Sequence, residues 1–477
     1  MLSTDAWLRQ ASQRPLLIDG RLAPPDQTPR TIVEPATGHA LALAAQAGRS
    51  QGEEAARSAR RAADDGPWSR MTPADRGERL GRLVRRIADD AEELSRLLAR
   101  ETGLPLREAA LAWSRWVDWA ALSLRSARDG GTSRQVGYTT ELLFAQRPLG
   151  VAVVQGPSFG ALPYDFLLAF AALARGNAVI WLAPEERPLG SLRIAEHALH
   201  AGLPPGVLQV LAGGEELAME LGGHGAVDLA ASIGHAQRFP PVAHGGRRGF
   251  YAAWRKGGVG VFSDADLDVA AASAVLAATF GAGLGPWAVQ RLYVTRSGHD
   301  HLLLRILSRL GSLTIGNPID FDTEIGPVPG AGVLRTLEAY VASRQAEGAT
   351  LIFGGDRPSQ PEPAAAGSYW RPALMLAGKA GAPRDVPGPV LEVQEAADDD
   401  DLLALLAAGG GPCTIVSGRE ERARLLRTLG GPRAVAWNAD WPTADVAPQF
   451  ADGLFACAPA QYLRAGDVEP SSWYRGG

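Results

Sequence analysis

Between residues 151 and 262 short apolar runs alternate with segments of helical length, and no other feature limits the fold so tightly. The runs are VAVVQ at 151–155, AVIWL at 178–182, VLQVL at 207–211 and GVGVF at 258–262, with a further strand expected around Val227 to Ala231. Helical stretches are expected near 163–175 and 189–201. Strands that are apolar on both faces, each followed by a helix, predict a parallel, doubly wound sheet covered on both sides. A second region of the same kind is expected beyond Asp264, with helices near 266–279, 299–310 and 331–347 and strands near 290–295, 413–417 and 433–437. The fold class is therefore α/β.

Ahead of this core the chain reads as helical. Thr72, Pro73 and Asp75 make a capping-box-like start, and Leu80, Leu83, Val84, Ile87, Ala91, Leu94 and Leu98 recur at helical spacing, which predicts one helix over 72–100. A second helix over 104–127 carries Trp113, Trp116 and Trp119 three residues apart, on one face, where packing against a core explains them better than a ligand does. The run VGYTTELLFAQ at 136–146 reads as extended and suits an exchanged strand.

With 477 residues, 46% of them hydrophobic, the chain has material for two or more domains. A net charge of -5 over 47 basic and 52 acidic side chains offers no field to recruit nucleic acid or an anionic membrane. Two cysteines, Cys413 and Cys457, support neither a disulfide framework nor a thiolate metal site. The polar start MLSTDAWLRQ lacks the layout of a signal peptide and no apolar run reaches the ~20 residues of a membrane span, so the expected compartment is cytoplasmic.

Several strings, in order, resemble aldehyde dehydrogenases: LLIDGRL, VEPATGHAL, GPWSRMTPADRGERLGRL, ETGLPLREA, RPLGVAVVQGP, LARGNAVIWLAPEERPL, AGLPPGVLQVLAGG, FSDADLD, IGNPIDFDTEIGPV, EGATLIFGGDRP, GSYWRPALM, GPVLEV and AVAWN. The resemblance runs from about residue 16 to about residue 440. It implies an aldehyde dehydrogenase-like fold with three parts. A Rossmann-like NAD-type domain would take 1–131 and 150–254, and an α/β catalytic-type domain 255–445. A small oligomerisation arm with the C-terminal tail would take 132–149 and 446–477. The implied reaction, oxidation of an aldehyde, needs a thiolate to attack the carbonyl, donors for the oxyanion, a hydride acceptor and a carboxylate to activate water.

At the positions that match the family's motifs these groups are replaced. Counting back from Arg291, Pro286 stands in the place of the nucleophilic cysteine, with Trp287 after it. Counting back from Asp264, Ala252 replaces the general-base glutamate, and Trp254 and Arg255 replace two glycines ahead of Lys256. Phe159, in Pro157–Ser158–Phe159–Gly160, replaces the asparagine that assists the oxyanion. In the dinucleotide site a lysine is replaced by Leu182, while Glu185 is retained. The pyrophosphate-binding helix start matches Gly234, His235, Ala236, Gln237, Arg238 and Phe239, and the nicotinamide-ribose glutamate matches Asp385. Glu185, Gly234 and Asp385 are thus expected as a vestigial cofactor site.

These replacements lead to the expectation of a pseudoenzyme: a non-catalytic structural or regulatory subunit, without cofactor, similar to the nucleophile-lacking second module of two-module aldehyde dehydrogenases. Its partners would be itself, as a homo-oligomer, or an active aldehyde dehydrogenase in a hetero-oligomer. The alternative is an NAD(P)-dependent aldehyde oxidoreductase with a rearranged active site; a third reading is a binder of another small ligand in the remodelled cleft. Cys413 reads as a core thiol, and Cys457, near the loop that matches the family's substrate channel, as the candidate substitute nucleophile. His299–Asp300–His301 is expected to cap a helix in preference to binding a metal, Asp398 to Asp401 to start one, and His235 to sit at a helix start.

Overall fold

In the computed structural model the described residues are 2–10, 15–128, 131–136, 140–145, 148–156, 164–235, 248–285, 288–359, 367–378, 381, 384–409, 411–429, 434–438 and 461–464. For 10, 131–136, 140–145, 164, 233–235, 248–254, 434 and 461–464 the description covers the backbone alone.

The strands follow in chain order as β1 (Leu16–Ile18), β2 (Arg21–Ala23), β3 (Arg30–Val33) and β4 (Ala40–Ala44), then β5 (Gly131–Val136) and β6 (Thr140–Ala145). Next come β7 (Val151–Gln155), β8 (Ala178–Pro184), β9 (Leu208–Gly213), β10 (Leu229–His235) and β11 (Arg248–Trp254). The second half supplies β12 (Gly257–Val261), β13 (Val289–Thr295), β14 (Thr350–Phe353), β15 (Ala373–Leu376), β16 (Val390–Ala396), β17 (Cys413–Val416), β18 (Ala434–Trp437) and β19 (Gln461–Arg464). The first sheet has the order β11-β10-β7-β8-β9-β1-β2, parallel from β11 to β9 and closed by antiparallel β1 and β2. The second has the order β14-β15-β16-β13-β12-β17-β18-β19, parallel throughout except for β14. The α/β class expected from the alternation is what the chain adopts. β3 and β4 form one antiparallel hairpin and β5 and β6 another.

The sheets are parallel because helices cover their faces. Val151, Ile180 and Leu211 from the first sheet share a core with Phe166, Phe170 and Leu192 from its covering helices. At roughly 1.5–3 kcal/mol for each such side chain, this burial outweighs local helix or strand preference. Trp113, Trp116 and Trp119 lie buried on one face of the helix Leu106–Arg128, as their spacing predicts. Trp116 stacks on Phe166 at 5.0 Å and Phe166 on Trp181 at 4.6 Å, so one aromatic column joins that helix to β8.

The single helix expected over 72–100 is two helices, Pro73–Asp89 and Ala91–Thr102. Thr72 does form the capping box with Asp75. The break falls at Asp90, whose buried carboxylate takes Arg193 Nε at 2.6 Å and His197 Nε2 at 2.7 Å. Satisfying a buried carboxylate outweighs one more turn of regular helix. Asp398 caps the helix Asp399–Ala408 by accepting from the Asp400 and Asp401 N–H groups, as expected. His299 does not cap its helix: the N-cap is Gly298, with no side-chain cap, and His299 Nδ1 lies 3.0 Å from Asp300 Oδ1. Among the described residues no helix is long and apolar enough to cross a membrane.

Candidate active site at the joint between the sheets

Strand β11 ends at Trp254 and β12 begins at Gly257, so Arg255 and Lys256 are the whole joint between the two sheets. The carboxyl ends of the first sheet therefore meet the amino ends of the second. In the first sheet the strand order reverses beside β7: β8 and β9 lie on one side of it, β10 and β11 on the other. Open α/β sheets bind ligands outside the carboxyl ends of their strands at such a reversal. That place is marked by Gln155 and His235, the last residues of β7 and β10, beside the joint through the pairing of His235 with Trp254.

Lys256 is 1% exposed and is gripped at every polar atom it has. Its Nζ donates to the Gly283 carbonyl and, at 2.8 Å, to the Gly388 carbonyl. Its N–H donates to Asp385 Oδ2 at 3.3 Å, and its carbonyl accepts from Arg291 Nη1 at 2.6 Å. Burial pulls the ammonium down to about 7, against the attraction of Asp385. Gly283 ends a run of three residues with positive φ: Gly281 at 63°, Ala282 at 52° and Gly283 at 65°. The Gly281 N–H donates to Glu108 Oε2 at 2.8 Å. Burial pushes the Glu108 carboxyl up to about 8, and the Gly281 hydrogen bond opposes it. Two further buried carboxyls lie in the first half: burial raises Glu101 to about 7 and Asp165 to about 6.

The residues singled out from the sequence are brought only partly together. Asp385 reaches the joint, but it is committed to Arg291 Nη2 at 2.6 Å, with Arg255 Nε at 3.8 Å. Glu185 follows β8 and lies 3.4 Å from Arg30 Nη1. Its carboxylate lies over Gly214, where a Cβ would come within 2.9 Å of Oε2. Gly234 and His235 do not start a helix; they close β10, paired with Ala253 and Trp254, because the parallel ladder with β11 continues to its end. Ala252 pairs in β11 with Ile233, and its side chain is among those not described. Pro286 and Phe159 lie outside the described residues, as does Cys457. Leu182 is buried in β8. Cys413 is buried in β17, and burial pushes its thiol far up, as a core thiol requires. Among the described residues no group of three or more His, Cys, Asp or Glu is placed to hold a metal.

Sequence reasoning missed the roles of Glu108, Arg291 and Lys256, although all three stood in strings it used. Their signal is faint, because a charged residue beside other charged residues reads as solvated surface.

A family model described as the aldehyde dehydrogenase family matches residues 23–409. Betaine aldehyde dehydrogenase 2 of Rhizobium meliloti (strain 1021) is 30% identical over 402 residues, 80% of this chain and 80% of that protein. Betaine aldehyde dehydrogenase of Cereibacter sphaeroides (strain KD131) is 31% identical over 376 residues, 75% of this chain and 74% of that one. The crystal structure of betaine aldehyde dehydrogenase from Staphylococcus aureus in complex with NAD+ superposes with a TM-score of 0.84 at 24% identity, covering 92% of this chain and 89% of that one.

These findings correct two expectations. The non-catalytic structural or regulatory subunit gives way to the alternative, because the relatives are named as aldehyde dehydrogenases over most of both chains. The expectation of no cofactor is overturned with it, since the relatives at 30 and 31% identity are named as dehydrogenases, and a structure of the same fold holds NAD+. The physical reason is that both expectations read function from fixed positions. A missing side chain at one position removes a group; it does not remove the scaffold of strand ends or fix which other group lies beside them.

Proposed function

The chain belongs to the aldehyde dehydrogenase family, and from that premise we propose that it is an NAD(P)-dependent aldehyde oxidoreductase with a rearranged active site. The observation that carries the reading is Glu185 over Gly214 at the carboxyl edge of the first sheet. A carboxylate held close over a residue without a side chain, at the carboxyl edge of a parallel sheet, suits the hydroxyls of an adenosine ribose. Arg30 at 3.4 Å tempers the charge of Glu185. At the other end Asp385, already paired with Arg291, offers less to a second ribose. The dinucleotide, when bound, accepts the hydride that leaves the aldehyde carbon.

The word rearranged rests on Pro286, Ala252 and Phe159, which match the family's nucleophile, base and oxyanion-donor positions. A thiol route in this chain falls to Cys457, because Cys413 is enclosed in β17 and its thiol is held protonated. The division into 1–131 with 150–254, 255–445, and an arm of 132–149 with 446–477 belongs to the same proposal. So does self-association through that arm, which the isolated β5–β6 hairpin supports because two strands alone are marginal in water.

The test is tryptophan fluorescence titrated with NAD+ and NADP+, followed by NADH or NADPH formation with a panel of aldehydes that includes betaine aldehyde. Saturable quenching at micromolar dinucleotide, weakened by Glu185→Ala, with reduced cofactor accumulating, is the expected result. Quenching absent up to millimolar dinucleotide and no reduction with any aldehyde would reject the assignment.

A further inference from the structure

The β8–β9 ladder ends with Pro184 paired to Gly213, so Glu185 and Gly214 are the first residues beyond it. A Cβ on Gly214 would stand 2.9 Å from Glu185 Oε2, so the carboxylate lies directly over the backbone there. The β3–β4 hairpin is tied to the same edge by the chain that leaves it. The Ala47 N–H donates to the Ala212 carbonyl at 2.8 Å, and the buried Gln46 donates from Nε2 to the Glu185 carbonyl at 3.3 Å. Arg30, at the start of β3, pairs with Ala44 at the end of β4, and its Nη1 reaches Glu185 Oε1 at 3.4 Å. Among the described residues the Glu185 carboxylate has no other hydrogen-bond or ion-pair partner.

Charge decides which dinucleotide such a corner admits. NAD+ presents a 2′-hydroxyl, which donates to a carboxylate. NADP+ presents a 2′-phosphate, which a carboxylate repels and a guanidinium binds, with two N–H groups aimed at two oxygens. The helix that follows Gly214, Glu215–Gly223, carries Glu215 and Glu216 in its first turn, so its start adds further negative charge. A 2′-phosphate at Glu185 therefore needs a cation, and Arg30 is the one the described structure sets against this carboxylate. The two side chains are 44% and 39% exposed, and ion pairs so open to water contribute little, so Arg30 exchanges one anion for another at small cost.

We propose that Arg30 determines the choice of dinucleotide. Paired with Glu185 beside a 2′-hydroxyl, and turned to the phosphate when a 2′-phosphate is bound, it lets the chain accept both NAD+ and NADP+. This rests on the functional reading above, which puts an adenosine ribose at Glu185.

Calorimetric titration of NAD+ and NADP+ into the full-length protein, a binding readout that needs no turnover, tests it. The wild type is expected to bind the two within about tenfold of each other. Arg30→Ala is expected to weaken NADP+ by about tenfold or more while NAD+ stays within about threefold. Arg30→Lys keeps the charge without the fork and is expected to fall between the two. Glu185→Gln, which removes the competing anion, moves the preference toward NADP+. Added salt weakens NADP+ more than NAD+ in the wild type, and both alike in Arg30→Ala. A wild type that prefers NAD+ by far more than about tenfold overturns the proposal without any variant, and leaves the dinucleotide site standing. So does an Arg30→Ala protein whose preference is that of the wild type. Binding of neither dinucleotide rejects the functional reading, and the proposal with it.

Discussion

Arg291 and Asp385 close an ion pair of 2.6 Å around a single peptide unit on either side of Lys256. Arg291 donates to the Lys256 carbonyl at 2.6 Å, and Asp385 accepts the Lys256 N–H at 3.3 Å. The pair satisfies a backbone that neither sheet can reach, because both strands stop at the joint.

Replacing either partner therefore leaves an uncompensated, mostly enclosed charge together with an orphaned backbone group. Asp385→Ala is expected to cost roughly 2–3 kcal/mol, less than a fully enclosed pair because both side chains retain some solvent contact. Urea denaturation of D385A, R291A and the double variant should give a coupling of at least ~1 kcal/mol. Additive losses would mean that the two charges do not depend on each other.

Arg344 and Glu392 make the most enclosed ion pair among the described residues, both side chains 1% exposed, with Nη2 to Oε2 at 2.6 Å and Tyr340 Oη donating to Glu392 Oε1 at 2.5 Å. Glu392→Gln removes the enclosed one of the two carboxylates paired with Arg344, leaving only the more exposed Glu347, and is expected to cost about 3 kcal/mol. A loss below ~1 kcal/mol in thermal or urea unfolding would show that Glu347, 2.6 Å from Arg344 Nη1, can neutralise it alone.

Gly281 and Gly283 share a positive φ but not their surroundings. A Cβ meets nothing within 4 Å at Gly281, whereas at Gly283 it meets the Gly388 oxygen at 2.5 Å. Gly281→Ala is expected to cost about 1 kcal/mol, the backbone term alone. Gly283→Ala should cost at least twice as much and lower the melting temperature accordingly. Equal shifts would show that the contact with Gly388 yields freely.

The Glu108 carboxyl, pushed up to about 8 from an ordinary 4.5, keeps in the folded protein a proton that the unfolded chain releases. Its contribution to stability therefore falls as pH rises from 4.5 to about 8, and levels off above that. Lys256 works the other way: pulled down to about 7 from 10.5, it makes the fold more stable as pH rises through that interval. Comparing Glu108→Gln with wild type cancels the lysine. The stability of E108Q relative to wild type should climb across the window from 4.5 to about 8. A difference that stays constant with pH would place the Glu108 carboxyl in contact with water.

The α/β architecture was legible because each strand announces itself locally: VAVVQ and AVIWL are apolar throughout and too short for helices. The tryptophan face was legible for the same reason, as a spacing within one helix. The break at Asp90 was not, since its partners Arg193 and His197 lie 103 and 107 residues away and the apolar period runs through it undisturbed. Nor were the roles of Glu108 and Lys256, whose acceptor and donor partners are glycine backbone atoms 173, 27 and 132 residues distant. Backbone atoms leave no mark on composition. The site was read from which side chains are missing, and this misled: it led to a cofactor-free subunit where the relatives are named as dehydrogenases.

The joint of Arg255 and Lys256 leaves three peptide units between the last residue of β11 and the first of β12, a tether of at most roughly 11 Å. So short a bridge, anchored at its N–H, its carbonyl and its ammonium, ties the register of one sheet to that of the other: neither strand can slip by a residue without pulling all three anchors loose.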